Sequence, residues 1–344
     1  MMRFTIRATA SLLIIIASAS CSDYSAVSRA PDPPDTTFED GLWTVSGTLP
    51  AIFRLTTAQL QTGGDIAPAT AITTSSAALT GFNGVAFDAA GTLWMTSQAD
   101  STLLAFSRAS LATSGTRAAS RVIRAANGSL DAPSALAFDA SHRLWVANTN
   151  SGTIVRFDSA QLAVSGGPTP SVILSGVGHP TGLAFDAEGG LWFSEGGAHR
   201  IAKYSAAQLD TSGFKLPEVV LTSQGPDIGN PIGLAFDAAG SLWIANSGQS
   251  NVIALHANHL TTTAFVNADV VISPSSTTPS LPLGLAFDDH GNLWVVYAEG
   301  VLREYDRSVL GASGSPVPAL VTINDHTFLR SAAFWPKPAG LPIN

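Results

Sequence analysis

The phrase Ala-Phe-Asp recurs at residues 86–88, 137–139, 184–186, 235–237 and 286–288, and a Leu-Trp pair follows each copy, with tryptophans at 94, 145, 192, 243 and 294. The phenylalanines stand 51, 47, 51 and 51 residues apart. Self-similarity at a period of roughly 40–50 residues marks a chain built from stacked supersecondary units, none of which buries its own apolar face alone. Each unit reads as four short strands. In one copy these are Gly233-Leu234-Ala235-Phe236, Leu242-Trp243-Ile244-Ala245-Asn246, Val252-Ile253-Ala254-Leu255 and Asp269-Val270-Val271-Ile272. Between the first two, Asp237-Ala238-Ala239-Gly240 is a hairpin turn, in which Asp accepts backbone N–H bonds and Gly takes positive φ. Four strands per unit at this period predict the blades of a β-propeller.

The ends set the blade number. Leu42-Trp43, Ile52-Phe53-Arg54-Leu55 and Ala58-Gln59-Leu60 match the second strand, third strand and following turn of a unit, but no Ala-Phe-Asp precedes them. Ala332-Ala333-Phe334-Trp335 matches a first strand with nothing after it, and Phe334 lies 47 residues past Phe287, on the repeat. The two fragments complete one another. The expectation is an all-β, six-bladed propeller over 42–335 with four-stranded blades, the C-terminal strand 331–335 completing the N-terminal blade and residues 336–344 forming a tail. Closure of this kind leaves no blade open. The tryptophans, one per blade at a fixed strand position, are expected to pack between neighbouring blades.

Composition agrees with short strands and tight turns: charged residues are only 12% of the chain, and polarity comes from Ser, Thr, Asn and Gly. The net charge is −8 with no run of Lys or Arg, which argues against a nucleic-acid partner. Residues 1–20 carry Arg3 and Arg7, then Leu12-Leu13-Ile14-Ile15-Ile16, then Ala17-Ser18-Ala19-Ser20, and so read as a secretory signal peptide. Small residues before Cys21, the single cysteine, resemble the bacterial lipobox. That resemblance implies lipidation of Cys21 and a place in the cell envelope. Ordinary cleavage at Ala17-Ser18-Ala19, giving a secreted protein, is the alternative. Residues 21–41, with Pro31, Pro33 and Pro34, read as a tether.

Positions that vary from blade to blade are where function is sought. The residue three past each Leu-Trp tryptophan is Ser46, Ser97, Asn148, Glu195, Asn246 or Tyr297. The residue before the first strand's small residue is Asn83, Ser134, Thr181, Ile232, Leu283 or Ser331. His179 lies in the loop leading into its blade. One channel mouth is therefore expected to gather Asn83, Asn148, His179, Glu195, Asn246 and Tyr297 as ligand-binding residues.

Leu242-Trp243-Ile244-Ala245-Asn246-Ser247-Gly248 and Leu144-Trp145-Val146-Ala147-Asn148 resemble NHL-type blades. Leu191-Trp192-Phe193-Ser194-Glu195-Gly196-Gly197 is similar to a blade of the virginiamycin B lyase type, and Phe82-Asn83-Gly84-Val85 to strands of gluconolactonase-like enzymes. The added Ala-Gln-Leu…Ser-Gly segment resembles uncharacterised bacterial lipoprotein propellers. The enzymes of this superfamily hold a divalent cation in the channel, and the resemblance implies Glu195, Asn148, Asn246 and Asn83 as its oxygen ligands. Such a donor set suits Ca2+ or Mg2+. His179 would then be the general base of lactone or ester opening, or of a lyase step. Against that reading, Glu195 stands as a single carboxylate and Ile232 and Leu283 occupy would-be ligand slots. The sequence favours a monomeric, non-catalytic envelope scaffold that binds a small ligand, glycan or protein at the channel mouth. The alternative is a metal-dependent lactone or ester hydrolase or lyase.

Overall fold

The computed structural model describes residues 40–75, 81–223, 227–274, 280–323, 328–339 and 341. The signal segment, Cys21 and the tether as far as residue 39 lie outside the described residues. Six antiparallel sheets form the six blades of a β-propeller. Each inner strand contacts the inner strands of both neighbouring blades, so the six surround one channel. The C-terminal strand, Leu329–Trp335, supplies the inner strand of blade 1 by pairing antiparallel with Gly41–Ser46. It starts two residues earlier than the 331–335 read from the repeat.

The five Asp residues of Ala-Phe-Asp are turn residues with a second bond. In blade 4, Asp186 Oδ1 accepts the Gly190 N–H at 2.6 Å, and Oδ2 accepts the Trp192 indole N–H at 2.8 Å. The same indole bond recurs from Trp94, Trp145, Trp243 and Trp294 at 2.9–3.2 Å. A buried indole N–H left unpaired would cost about 1–3 kcal/mol, so the turn residue also holds the tryptophan's orientation. Held so, Trp145, Trp192, Trp243 and Trp294 each meet the inner-strand Phe of the next blade edge-on, as Trp43 also does without an Asp turn of its own, with centroids 6.0–6.4 Å apart. That T-shaped geometry is the favoured one for aromatic pairs.

Two blades have the expected four strands, and the other four carry a fifth. The Ala-x-Leu segment is a short helical turn with a buried leucine (Leu60, Leu111, Leu162, Leu209 or Leu260). Reciprocal capping boxes close three of these turns, Thr56 with Gln59, Asp158 with Gln161 and Ser205 with Gln208. The Ser-Gly that follows crosses to the preceding blade. Gly115–Arg117 pairs parallel with Thr70–Thr74, Gly213–Phe214 with Val172–Ser175, and Ala264–Phe265 with Val219–Thr222. Gly64–Ile66 of blade 1 pairs with Ala319–Ile323 of blade 6, and single bridges join Ile123 to Gly166 and Ile272 to Gly314. The hydroxyl beside the crossing accepts an outer-strand N–H: Ser114 from Ala71, Ser165 from Val122, Ser212 from Ile173, Thr263 from Val220 and Ser313 from Val271, at 2.9–3.1 Å. Every blade thus has its outer edge capped by the next repeat, and the last by the first. An uncovered edge of this kind would present a row of free backbone groups.

Candidate functional site: the central channel

A bulge near the start of each inner strand decides what faces the channel. In blade 4, Pro180 pairs with Glu195 and Gly182 with Ser194, leaving Thr181 out of the ladder. The same shift leaves out Leu283 in blade 6 and Arg330 in blade 1, and falls at equivalent positions in blades 2, 3 and 5. Bulges re-aim side chains. Here the six bulge residues Asn83, Ser134, Thr181, Ile232, Leu283 and Arg330 all line a cavity of about 440 Å³. The small residue that follows lets the strands converge: a Cβ on Gly84 would lie 2.5 Å from the Ser134 carbonyl oxygen, and one on Gly233 would lie 2.6 Å from that of Leu283. Carbonyls freed by the bulges are taken by hydroxyls of the preceding blade, as Ser134 Oγ donates to Pro180 O at 3.0 Å and Thr181 Oγ1 to Pro231 O at 3.1 Å.

Below that ring the wall is apolar, made by Val85, Leu136, Leu183, Leu234, Leu285 and, in blade 1, the smaller Ala332. The far end is aromatic and mixed, with Phe138, Phe287, Trp335, Asp88, His142 and Lys337. Asp88 is spoken for by the Trp94 indole at 3.1 Å and two turn N–H groups. The C-terminal residues expected to be a plain tail contribute Lys337, Pro338 and Leu341 to this end. Lys337 is exposed over much of its length but desolvated at the cavity rim, which brings its pKa down to about 8.

The slot expected to hold Ser331 in blade 1 holds Arg330. Counting four residues back from each inner-strand phenylalanine gives Asn83, Ser134, Thr181, Ile232, Leu283 and Arg330, whereas aligning on the small residues shifts blade 1 by one. Arg330 is the residue that the sequence reading missed, and that count would have found it. Its guanidinium lies 4.6 Å from the Phe328 ring centroid, and its Nε is buried with no hydrogen-bond partner among the described residues. Burial pushes its pKa down from the ordinary arginine range.

Of the residues expected at the mouth, the cavity takes Asn83, whose amide donates to Gln98 Oε1 at 2.9 Å. Asn148, Glu195, Asn246 and Tyr297 are wholly buried and do not line it. Asn148 and Asn246 each accept the N–H of the residue two before the proline that opens their own blade's inner strand (Asp131 at 3.2 Å, Gly229 at 2.6 Å) and donate back to that loop at Ser129 O and Asp227 O. Glu195 does the same in blade 4, accepting from Gly178 N–H through Oε1 while Oε2 meets the Arg200 guanidinium. Tyr297 instead bonds Tyr305 at 3.2 Å. This position is a staple between a hairpin and the loop leading into its blade. The four oxygen donors thus do not fit a shared Ca2+ or Mg2+ site, because three of them are committed to backbone or arginine away from the cavity. His179 is outside the cavity lining too, with Nδ1 2.9 Å from Thr149 O.

His142 occupies a turn position that carries Gly91, Gly189, Gly240 and Gly291 in other blades, all with φ of 76–81°, and itself has φ of 58°. A left-handed conformation costs a non-glycine residue about 1–2 kcal/mol. Replacing His142 by Gly is therefore expected to stabilise the fold by about 0.5–1 kcal/mol, once glycine's extra unfolded-state entropy is allowed for. Urea denaturation checks this, and a net loss of stability would show that the imidazole makes contacts worth more than the strain.

A channel walled by six bulged inner strands defines a small-molecule-sized propeller cavity. The chain belongs to the family described as SMP-30/Gluconolactonase/LRE-like region, whose model matches residues 44–224. No curated protein sequence matches it. Among solved structures it is similar to a chain of the nidogen/laminin complex (13% identity, 87% of this chain and 99% of that one, TM-score 0.61). It is also similar to a putative 6-phosphogluconolactonase from Bacteroides uniformis (15% identity, 78% and 79%, TM-score 0.52). A streptogramin B lyase matches at 13% identity over 72% of this chain and 71% of that one, with a TM-score of 0.50. Identities this low speak to fold alone.

Proposed function

We propose that the protein is a bacterial envelope lipoprotein, anchored through lipid on Cys21, whose channel binds a small and mainly apolar molecule without transforming it. The observation that carries this reading is the channel wall itself. Its volume of about 440 Å³ lies within the roughly 300–1,000 Å³ of small-molecule sites, and a few polar groups at each end flank an aliphatic middle. Family membership brings hydrolases and lyases into view, but the carboxylate and amides such chemistry would call on here serve as loop staples.

The test is titration of the full chain with the neutral dye N-phenylnaphthylamine, followed by fluorescence. Saturable binding of one dye per chain is expected, and Ile232→Trp, which fills the channel from a partly exposed bulge position, should abolish it while leaving the melting temperature nearly unchanged. Absence of saturable binding, or Ca2+-dependent turnover in a lactone and ester panel, would overturn the reading.

A further inference from the structure

Four cations with reduced exposure elsewhere on this propeller have acidic or carbonyl partners. Arg156 meets Asp158 at 3.1 Å, Lys203 meets Asp186 at 2.7 Å, Arg303 meets Glu299 at 3.4 Å, and Arg121 donates to Leu162 O at 3.0 Å. Arg330 does not. Among the described residues no carboxylate neutralises it, and its surroundings are an aromatic face, a bare backbone and the cavity. The bare backbone is Gly47, where a Cβ would come within 2.7 Å of Arg330 Nε, so the absence of a side chain there is what seats the guanidinium. A desolvated cation without a counter-charge is costly, and the cost falls when a ligand supplies the anion. A guanidinium presents a fork of donors that matches a carboxylate or phosphate.

The wall next to it is asymmetric. At the level just below the bulge ring, five blades place Val or Leu and blade 1 places the smaller Ala332, so the wall is cut back by most of a side chain directly below the cation. From Arg330 to Phe334 the inner strand advances four residues, about 13 Å at ~3.3 Å per residue. Along that length the opposite wall is Leu136, Leu183 and Leu234, with no charge.

We infer that the ligand of this channel is an amphipathic monoanion, its acid group on Arg330 at the bulge-ring mouth and its apolar body lying along the aliphatic wall under Ala332. The inference rests on the channel-binding reading above and adds the ligand's class. It asks for a single acid head, because the bulge ring carries one cation, and for an unbranched or slender body of about ten carbons, matched to about 13 Å of wall.

The experiment displaces N-phenylnaphthylamine from the full chain with decanoate or with decanol, which share a tail and differ in charge. Decanoate is expected to displace the dye at least tenfold more strongly than decanol. Arg330→Met should erase that preference, and Arg330→Lys should keep most of it, since both variants remove the same packing over Gly47 and Phe328 but only one removes the charge. Equal displacement by acid and alcohol, or an unchanged preference in Arg330→Met, would overturn the inference while dye binding itself left the channel reading in place. A wild-type chain that fails to bind the dye would take both down together.

Discussion

Truncation after Phe328 is expected to leave no cooperatively folded propeller. The deleted segment is not a peripheral strand: residues Leu329–Trp335 hydrogen-bond along the whole of Gly41–Ser46 and form the channel-side strand of blade 1. Leu329 and Ala332 are buried in the core between blades 6 and 1, where Phe334 meets Trp294 edge-on at 6.4 Å. Trp335 packs against Phe87 of blade 2 at 5.2 Å, so the same strand carries contacts to both neighbours. Losing buried Leu329 alone costs about 2–5 kcal/mol, and losing the half-buried Phe334 and Trp335 adds to a sum comparable to the whole stability of a typical domain. What remains is an exposed strand edge at Gly41–Ser46, a template for association. Size-exclusion chromatography and thermal unfolding by circular dichroism should show aggregation and no sharp transition. A monomeric truncation product melting within a few degrees of the full chain would mean that the remaining blades close by themselves.

The second large effect is expected at Glu195. Its carboxylate is fully buried, takes the Gly178 N–H on one oxygen and the Arg200 guanidinium on the other, and thereby holds the loop between blades 3 and 4. Removing one partner of a buried pair costs about 3–5 kcal/mol, and because Arg200 is about one-third exposed the lower end applies. Glu195→Ala should therefore lose about 3 kcal/mol in urea denaturation. Glu195→Leu combined with Arg200→Met should lose less than the single change, since no charge is then stranded. Neither loss should depend on added Ca2+, which separates a staple from a cation ligand. A destabilisation below about 1 kcal/mol, or one that appears only with Ca2+ present, would contradict the role derived from these bonds.

The repeat made the blade count legible because the Leu-Trp pairs and the Asp turn are local patterns, each set by residues within about ten positions of one another. The channel wall was less legible. Which first-strand residue faces inward depends on a bulge, and a bulge is a pairing event that leaves no mark of its own in the sequence. In blade 1 the small residues Ser331-Ala332 imitated the Gly-containing step of the other blades and hid Arg330 by one position. Asn148, Glu195 and Asn246 were rightly seen as one structural slot, but the backbone N–H groups they accept belong to loops 17 residues upstream. Amides and carboxylates at a strand end have the same local pattern whether they hold a loop or a ligand. The Ser-Gly step was visible as a repeated feature, yet its partner lies on the preceding blade, 42 or 43 residues away in the cases bonded through the hydroxyls of Ser114, Ser165 and Ser313.

Because each outer edge is capped by the following repeat, the unit that is copied along the chain differs from the unit that hydrogen-bonds in space. A duplicated or lost stretch of about fifty residues carries with it both an edge that needs a cap and a cap for the edge before it. The ring could therefore gain or shed a whole repeat by recombination without orphaning an edge, whatever the breakpoint within the repeat. A linear stack of repeats must instead end in specialised terminal units to stay soluble. Here no unit is terminal, since Gly64–Ile66 of the first blade caps the last. The same circular dependence makes peeling of a single blade require rupture of two neighbouring caps, so local opening is coupled around the circumference rather than confined to one repeat.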